Sequence, residues 1–488
     1  MRVVVVGAGL GGLAAACHLS GRGHDVTILE RAERPGGCAA QVARAGYLLD
    51  TGPVVLTMPG LLEAVFAAAG AAMRDHVRIF EIDPMYRATF ADGSELRVRA
   101  GVEPMADEIT RFAGAREADG FRRFAAWLRA LYEVELPHFI DRNWDSALDL
   151  GRDAGALARL VRLGALRRMA AQVGRFFDDE RLRQMFSFQA MYAGLSPFEA
   201  FAVFCIITYM DSVAGVCFAE GGIHAIATGL AAAAEHAGAE LRFGWEAARI
   251  ERASDGSVTG VRGVDGSHVA ADVVVVNADL AATYRTLLGI APPRSLRRAH
   301  YSPSAAVWVA GVRGAPPQGA AHHNIHFGAQ WQGSFDALLR DGVRMPDPSI
   351  LVTTPTVSDT TLAPTGGTVL YVLEPVPNLD GAVDWSREGP RMRDDLVRRV
   401  EAFGYPTRDV EVEQFIDPPA WRAQGLERGT PFSLAHRFFQ SGPFRPANVD
   451  GRVPGLVLTG MGTVPGVGIP MVLLSGGLAA ARVEALVR

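Results

Sequence analysis

Only four of the 488 residues are cysteine (Cys17, Cys38, Cys205 and Cys217), and no two of them stand at a metal-binding spacing. So sparse a set excludes a disulfide framework and fits a reducing compartment. Positive charge is not in excess either. The formal net charge is −5, which argues against nucleic acid as the main partner. Also missing is any uninterrupted apolar run of about eighteen residues, the length a spanning helix needs. Residues 1–19 are apolar but glycine-rich, without the basic start and cleavage site of a secretory leader. A cytoplasmic chain is therefore expected, touching a membrane only from its surface. No internal repeat or low-complexity tract stands out. What the chain does have is hydrophobic side chains, 49% of the total, and enough length for two or three domains around a large core.

The informative glycines come first. Val3 to Val6 form an all-apolar run, the mark of a parallel strand buried on both faces. Gly7, Gly9 and Gly12 follow in a G-x-G-x-x-G pattern, and a helix is expected from there to about Ser20. Gly7 suits the tight turn, Gly9 lets backbone approach a pyrophosphate, and Gly12 lets the helix pack on the strand. The helix N-terminus then points its amides at phosphate. A second strand, Asp25 to Leu29, ends at Glu30, whose carboxylate suits the hydroxyls of a ribose without a 2′-phosphate. Strand, glycines, helix, strand and acid in that order indicate a bound dinucleotide.

Beyond Glu30 comes Arg34-Pro35-Gly36-Gly37. A nicotinamide enzyme would simply continue its sheet here, whereas a second glycine pair lets backbone pass close to a deeply buried flavin. The far end adds a strand at Leu456 to Thr459, glycines at 460, 462, 466 and 468, then Ile469-Pro470 and a helix of small and apolar residues. Together these stretches resemble the phytoene desaturase, amine oxidase and protoporphyrinogen oxidase flavoproteins. Gly46–Pro53, Ser196–Leu241 and Gly455–Val487 resemble the bacterial phytoene desaturases in particular. The resemblance implies FAD as cofactor, held by Gly7, Gly9, Gly12, Glu30, Arg31, Gly36, Gly37, Gly52, Gly460, Gly462, Gly468 and Ile469, with backbone near Ala247 offered to the adenine. One position departs from the family: Cys38 follows the glycine pair where arginine is usual. Arg31, Arg34 or Arg44 is left to supply the charge.

The expected fold is α/β. A discontinuous Rossmann-like FAD-binding domain with a parallel sheet takes residues 1–85, 215–289 and 441–488. A helical, membrane-facing insertion takes 86–214, and a mixed α+β substrate domain takes 290–440. Gly221-Gly222 opens no second G-x-G-x-x-G unit, so oxygen or a quinone is the expected electron acceptor.

The resemblance implies a carotene substrate such as phytoene, desaturated by hydride transfer to the flavin. Phe198 to Met210, with aromatics at 186, 188, 192, 201 and 204, is a candidate tunnel wall or else ordinary helix packing. Asp149, Arg152 and Asp211 are the acid/base candidates, against the alternative of carboxylates on helix surfaces. His322, His323 and His326 read as an alternating strand, so no metal is expected. Residues 151–176 set arginines at 152, 159, 162, 167, 168 and 175 among leucines, a basic amphipathic helix suited to an anionic leaflet. Peripheral attachment to the cytoplasmic membrane follows. Two other readings stay open: a flavin-dependent carotenoid isomerase, and a flavin-free isoprenoid- or lipid-carrying protein on the same fold.

Overall fold

The structure, a computed structural model, describes residues 1–487. Its centre is a five-stranded parallel sheet in the order Leu456–Leu458, Val273–Val276, Arg2–Val6, Asp25–Leu29, Glu240–Arg242. Val3 to Val6 are buried, and so are Val273 to Val276 beside them. Side chains alternate between two cores. Val3, Val5, Val273 and Val275 face the helices, whereas Val4, Val6, Val274 and Val276 face a three-stranded antiparallel sheet through Ile250, Val258 and Val261. On the helical face Leu10–Ser20 is almost wholly buried. The C-terminal helix, Ile469–Val487, crosses it so closely that a Cβ on Gly476 would lie 2.6 Å from that of Ala14. By length and composition Ile469–Leu486 also passes as a membrane-crossing helix, although Arg482 and Glu484 interrupt its apolar run. Half of that stretch is buried inside the fold.

A seven-stranded mixed sheet lies beyond, ordered Val410–Ile416, Ser304–Arg313, Gly367–Val376, Ile350–Thr353, His323–His326, Tyr86–Thr89, Glu95–Val98. Trp308, Ala310 and Val372 pack one face against Met392 and Leu396 of the helix Trp385–Ala402. Ala305, Val307, Tyr371 and Leu373 face the other way, toward the interior cavity. Residues 86–98, expected to open the helical insertion, instead give this sheet two strands, Tyr86–Thr89 pairing in parallel with His323–His326.

The stretch 151–176 is not one helix. Ala154–Leu163 stops at Gly164, whose φ of +78° ends the α-helical run, and Met169–Val173 is a separate turn and a half. Arg168 of the expected basic face stays exposed, but its guanidinium is tied down, donating to the Glu199 carbonyl and sitting over the Phe201 ring.

Candidate functional site

The first three motif-bearing strands end at the same edge of the parallel sheet. Gly7 follows Val6, Glu30 follows Leu29 and Asn277 follows Val276, while Thr459-Gly460 follows Leu458. This is the carboxyl edge, on either side of the central strand, where open α/β sheets bind their ligands. A cavity of about 1270 Å³ opens there.

The dinucleotide half is built from close backbone. Gly7 has φ +99°, and a Cβ on Gly9 would lie 2.8 Å from Asn277 Nδ2. Gly12 does not line the cavity. A Cβ there would stand 2.1 Å from the Gly7 carbonyl oxygen, so this glycine closes helix onto turn. Glu30 is 8% exposed, and its oxygens accept from Ala8 N at 2.7 Å and Ala32 N at 2.9 Å. A carboxylate accepts about four such bonds, so capacity remains for two ribose hydroxyls. Gly36 donates from its amide to Ala8 at 2.8 Å, holding the second glycine pair against the first motif. Gly36, Gly37, Gly52, Ala247, Gly460, Gly462, Gly468 and Ile469 all line the cavity.

Charge for the phosphates is thinner. Burial pushes the Cys38 thiol up to about 11, so it stays neutral and replaces no arginine. Arg31 and Arg34 line the cavity, the former also donating to the Gln424 carbonyl. Arg44, on the strand Gln41–Arg44, does not line it. The donors, glycine cradle and ribose acid fit FAD.

From this half the cavity continues into an apolar chamber walled by Phe188, Tyr192, Phe201, Phe204, Ile207 and Met210. Phe186 stacks instead with Phe121 and Phe177 in the core. Leu157, Val161, Leu166 and Phe438 are both exposed and cavity-lining, which marks the chamber's mouth.

Asp211 lies in this chamber and is 2% exposed. The Tyr86 hydroxyl donates to its Oδ1, and Gln189 Nε2 donates to Oδ2 at 3.0 Å. Burial outweighs both bonds and pushes the carboxyl up to about 6. Asp149 and Arg152 are placed elsewhere. Asp149 accepts from the amides of Asp145 and Ser146 in a capping box, and an exposed Arg152 pairs with it at 3.2 Å, so neither lines the cavity. His322 packs on Phe218 and His323, whereas His326 stacks on Phe403. Three cavity residues escaped the sequence reading: Asn277, His224 and Glu135. Glu135 ends the helix Ala115–Glu135, and burial raises its carboxyl well above the usual range while Oε1 finds no donor.

The model of the flavin containing amine oxidoreductase family matches residues 10–484. The chain is 48% identical to a phytoene dehydrogenase of Streptomyces griseus, covering 99% of this chain and 94% of that one. It is 38% identical to a zeta-carotene-forming phytoene desaturase of Myxococcus xanthus, over 99% and 93% respectively. A solved oxidoreductase from Methanosarcina mazei superposes with a TM-score of 0.65 at 18% identity, covering 99% of this chain and all of that one.

Proposed function

Because the chain belongs to the flavin containing amine oxidoreductase family and, within it, to the phytoene desaturases, we propose that it introduces double bonds into phytoene or a related carotene. The observation that carries this reading is the single cavity joining a dinucleotide cradle to an apolar chamber that opens at the surface. FAD, when bound, supplies the hydride acceptor. The protein's own part is to orient a long hydrocarbon, exclude water and handle a proton.

Removing two hydrogens from adjacent carbons as a hydride and a proton requires a base. Asp211 takes that proton in this reading. Ionised above about pH 6, it lies in an apolar chamber and is steered by Tyr86 and Gln189. The apolar walls around it suit a polyene, which on binding would displace water from the carboxylate.

Carotenes dissolve in bilayers, and the mouth suits a membrane surface. Around it Leu148 is 87% and Phe439 74% exposed, beside Val161, Leu166 and Phe438. Exposed arginines, Arg152, Arg159, Arg162 and Arg437 among them, flank this patch. The pairing of apolar and cationic groups favours an anionic leaflet, so peripheral attachment at the cytoplasmic face is part of the proposal. Oxygen or a membrane quinone is the electron acceptor in this reading. The test is incubation of purified protein, FAD and liposomes with 15-cis-phytoene and later intermediates, with products separated by chromatography. Appearance of longer conjugated systems supports the assignment, and unchanged phytoene under every condition overturns it.

A further inference from the structure

His436 stands where the two halves of the cavity meet. It lines the cavity together with Met461, Gly462 and Gly468 of the C-terminal glycine segment and with Phe204 of the apolar chamber. A Cβ on Gly466 would lie 2.2 Å from His436 Cε1 and 2.6 Å from Nε2, so this edge of the imidazole rests directly on the glycine segment. On its chamber side the Phe204 ring meets His436 edge-on, with centroids 6.0 Å apart. The backbone beneath is tied down. The His436 amide donates to the Ala193 carbonyl at 2.9 Å, and the Arg445 guanidinium donates to the carbonyls of both Leu434 and Thr463, clamping the histidine's stretch to the glycine segment.

The ring itself is unpartnered. Among the described residues no group hydrogen-bonds either ring nitrogen, yet neither nitrogen is sealed inside protein. His436 keeps part of its surface open, and because the ring lies deep in the fold that surface belongs to the cavity. Burial, with the Arg445 charge acting in the same direction, holds the imidazole neutral. A neutral imidazole carries one N–H and one lone pair, and a polar group held this deep calls for a partner. A carotene has no polar atom to offer. Glu30 suits the adenosine ribose and the first glycine turn the pyrophosphate. The isoalloxazine remains, with carbonyl oxygens and bare nitrogens that accept hydrogen bonds. A ring that takes hydride from a polyene must also lie at the border of cradle and chamber, which is where His436 stands.

We propose that His436 contacts the cofactor, donating a hydrogen bond from its neutral imidazole to the isoalloxazine ring of FAD and so raising the ring's readiness to accept hydride. A fixed donor binds the electron-rich reduced ring more tightly than the oxidised one. The inference rests on the desaturase reading above, which supplies the apolar substrate.

Two variants test it, both read without carotene. H436L removes the N–H, whereas H436Q returns a donor near the Nε2 position. Far-UV circular dichroism of the cofactor-free proteins verifies that both fold. Spectroelectrochemical titration of the FAD-loaded proteins is expected to place H436L about 30 mV below wild type, a tenfold weaker preference for the reduced cofactor, and H436Q close to wild type. Affinity for ADP, which lacks the isoalloxazine, is expected to be equal in all three. In 15N-histidine NMR spectra, the ring signals missing from H436Q are expected to report a neutral imidazole and to shift when FAD is added. Equal potentials for H436L and wild type, a loss of ADP affinity, or His436 signals indifferent to FAD would each overturn the inference, and would do so alone if phytoene is still desaturated. FAD-loaded protein that leaves phytoene unchanged overturns the parent reading instead.

Discussion

Replacing Asp211 by asparagine tests the chamber's electrostatics without the cofactor. In the folded protein burial pushes this carboxyl to about 6, against 3.8 for an ordinary aspartate. Below pH 3.8 both folded and unfolded chains hold the proton, and the group is neutral to stability. Between 3.8 and 6 the unfolded chain releases it while the folded one retains it, so stability falls as pH rises. Above 6 the loss levels off at about 3 kcal/mol. Asparagine fills the same space, still accepts from Tyr86 and does not titrate. Comparing Asp211→Asn with wild type cancels every other titrating group. The variant is therefore expected to gain about 2.5 kcal/mol on wild type between pH 4 and pH 7. Urea unfolding followed by tryptophan fluorescence, at one-unit pH intervals, measures the difference. A difference that stays flat across that range refutes the buried, proton-holding Asp211. Desaturation should move the opposite way: a lost base costs about 10²–10⁴-fold in turnover, with FAD affinity unchanged.

Gly12→Ala would drive a methyl to 2.1 Å from the Gly7 carbonyl, so the purified variant is expected to lose its flavin absorbance, and a fully yellow protein contradicts the packing role. Asp149→Ala removes a helix cap, which predicts a loss of about 1 kcal/mol in stability and turnover near wild type; a collapse in turnover with FAD still bound would return Asp149 to the chemistry. The pair Phe438→Ser and Phe439→Ser, with Arg162→Glu, strips apolar area and charge from the mouth, and liposome flotation should weaken sharply; undiminished flotation places the membrane face elsewhere.

Much of the dinucleotide half could be read from sequence because its geometry is local. A buried strand, a glycine turn and an acid at the next strand's end each follow from a few adjacent residues. The wider fold was less legible where partners are distant. Nothing within residues 86–98 reveals that Tyr86–Thr89 pairs in parallel with His323–His326. Gly164 ends the first helix, but the arginine–leucine alternation runs on past it in the sequence and masks the break. The Asp149 and Arg152 spacing fits a reactive pair and a capped helix equally well, and only burial and backbone partners separate the two. Glu135 is indistinguishable in sequence from a surface glutamate until its helix is docked against the chamber. Asn277 did leave a trace, since it follows Val273–Val276 just as Gly7 follows Val3–Val6.

The most direct test of desaturation is anaerobic. Protein loaded with FAD is mixed with phytoene in liposomes, and flavin absorbance is recorded alongside the carotenoid products. The expected result is flavin bleaching in step with new double bonds, one reduced flavin for each. Product that is isomerised but no more desaturated, with the flavin still oxidised, would contradict it.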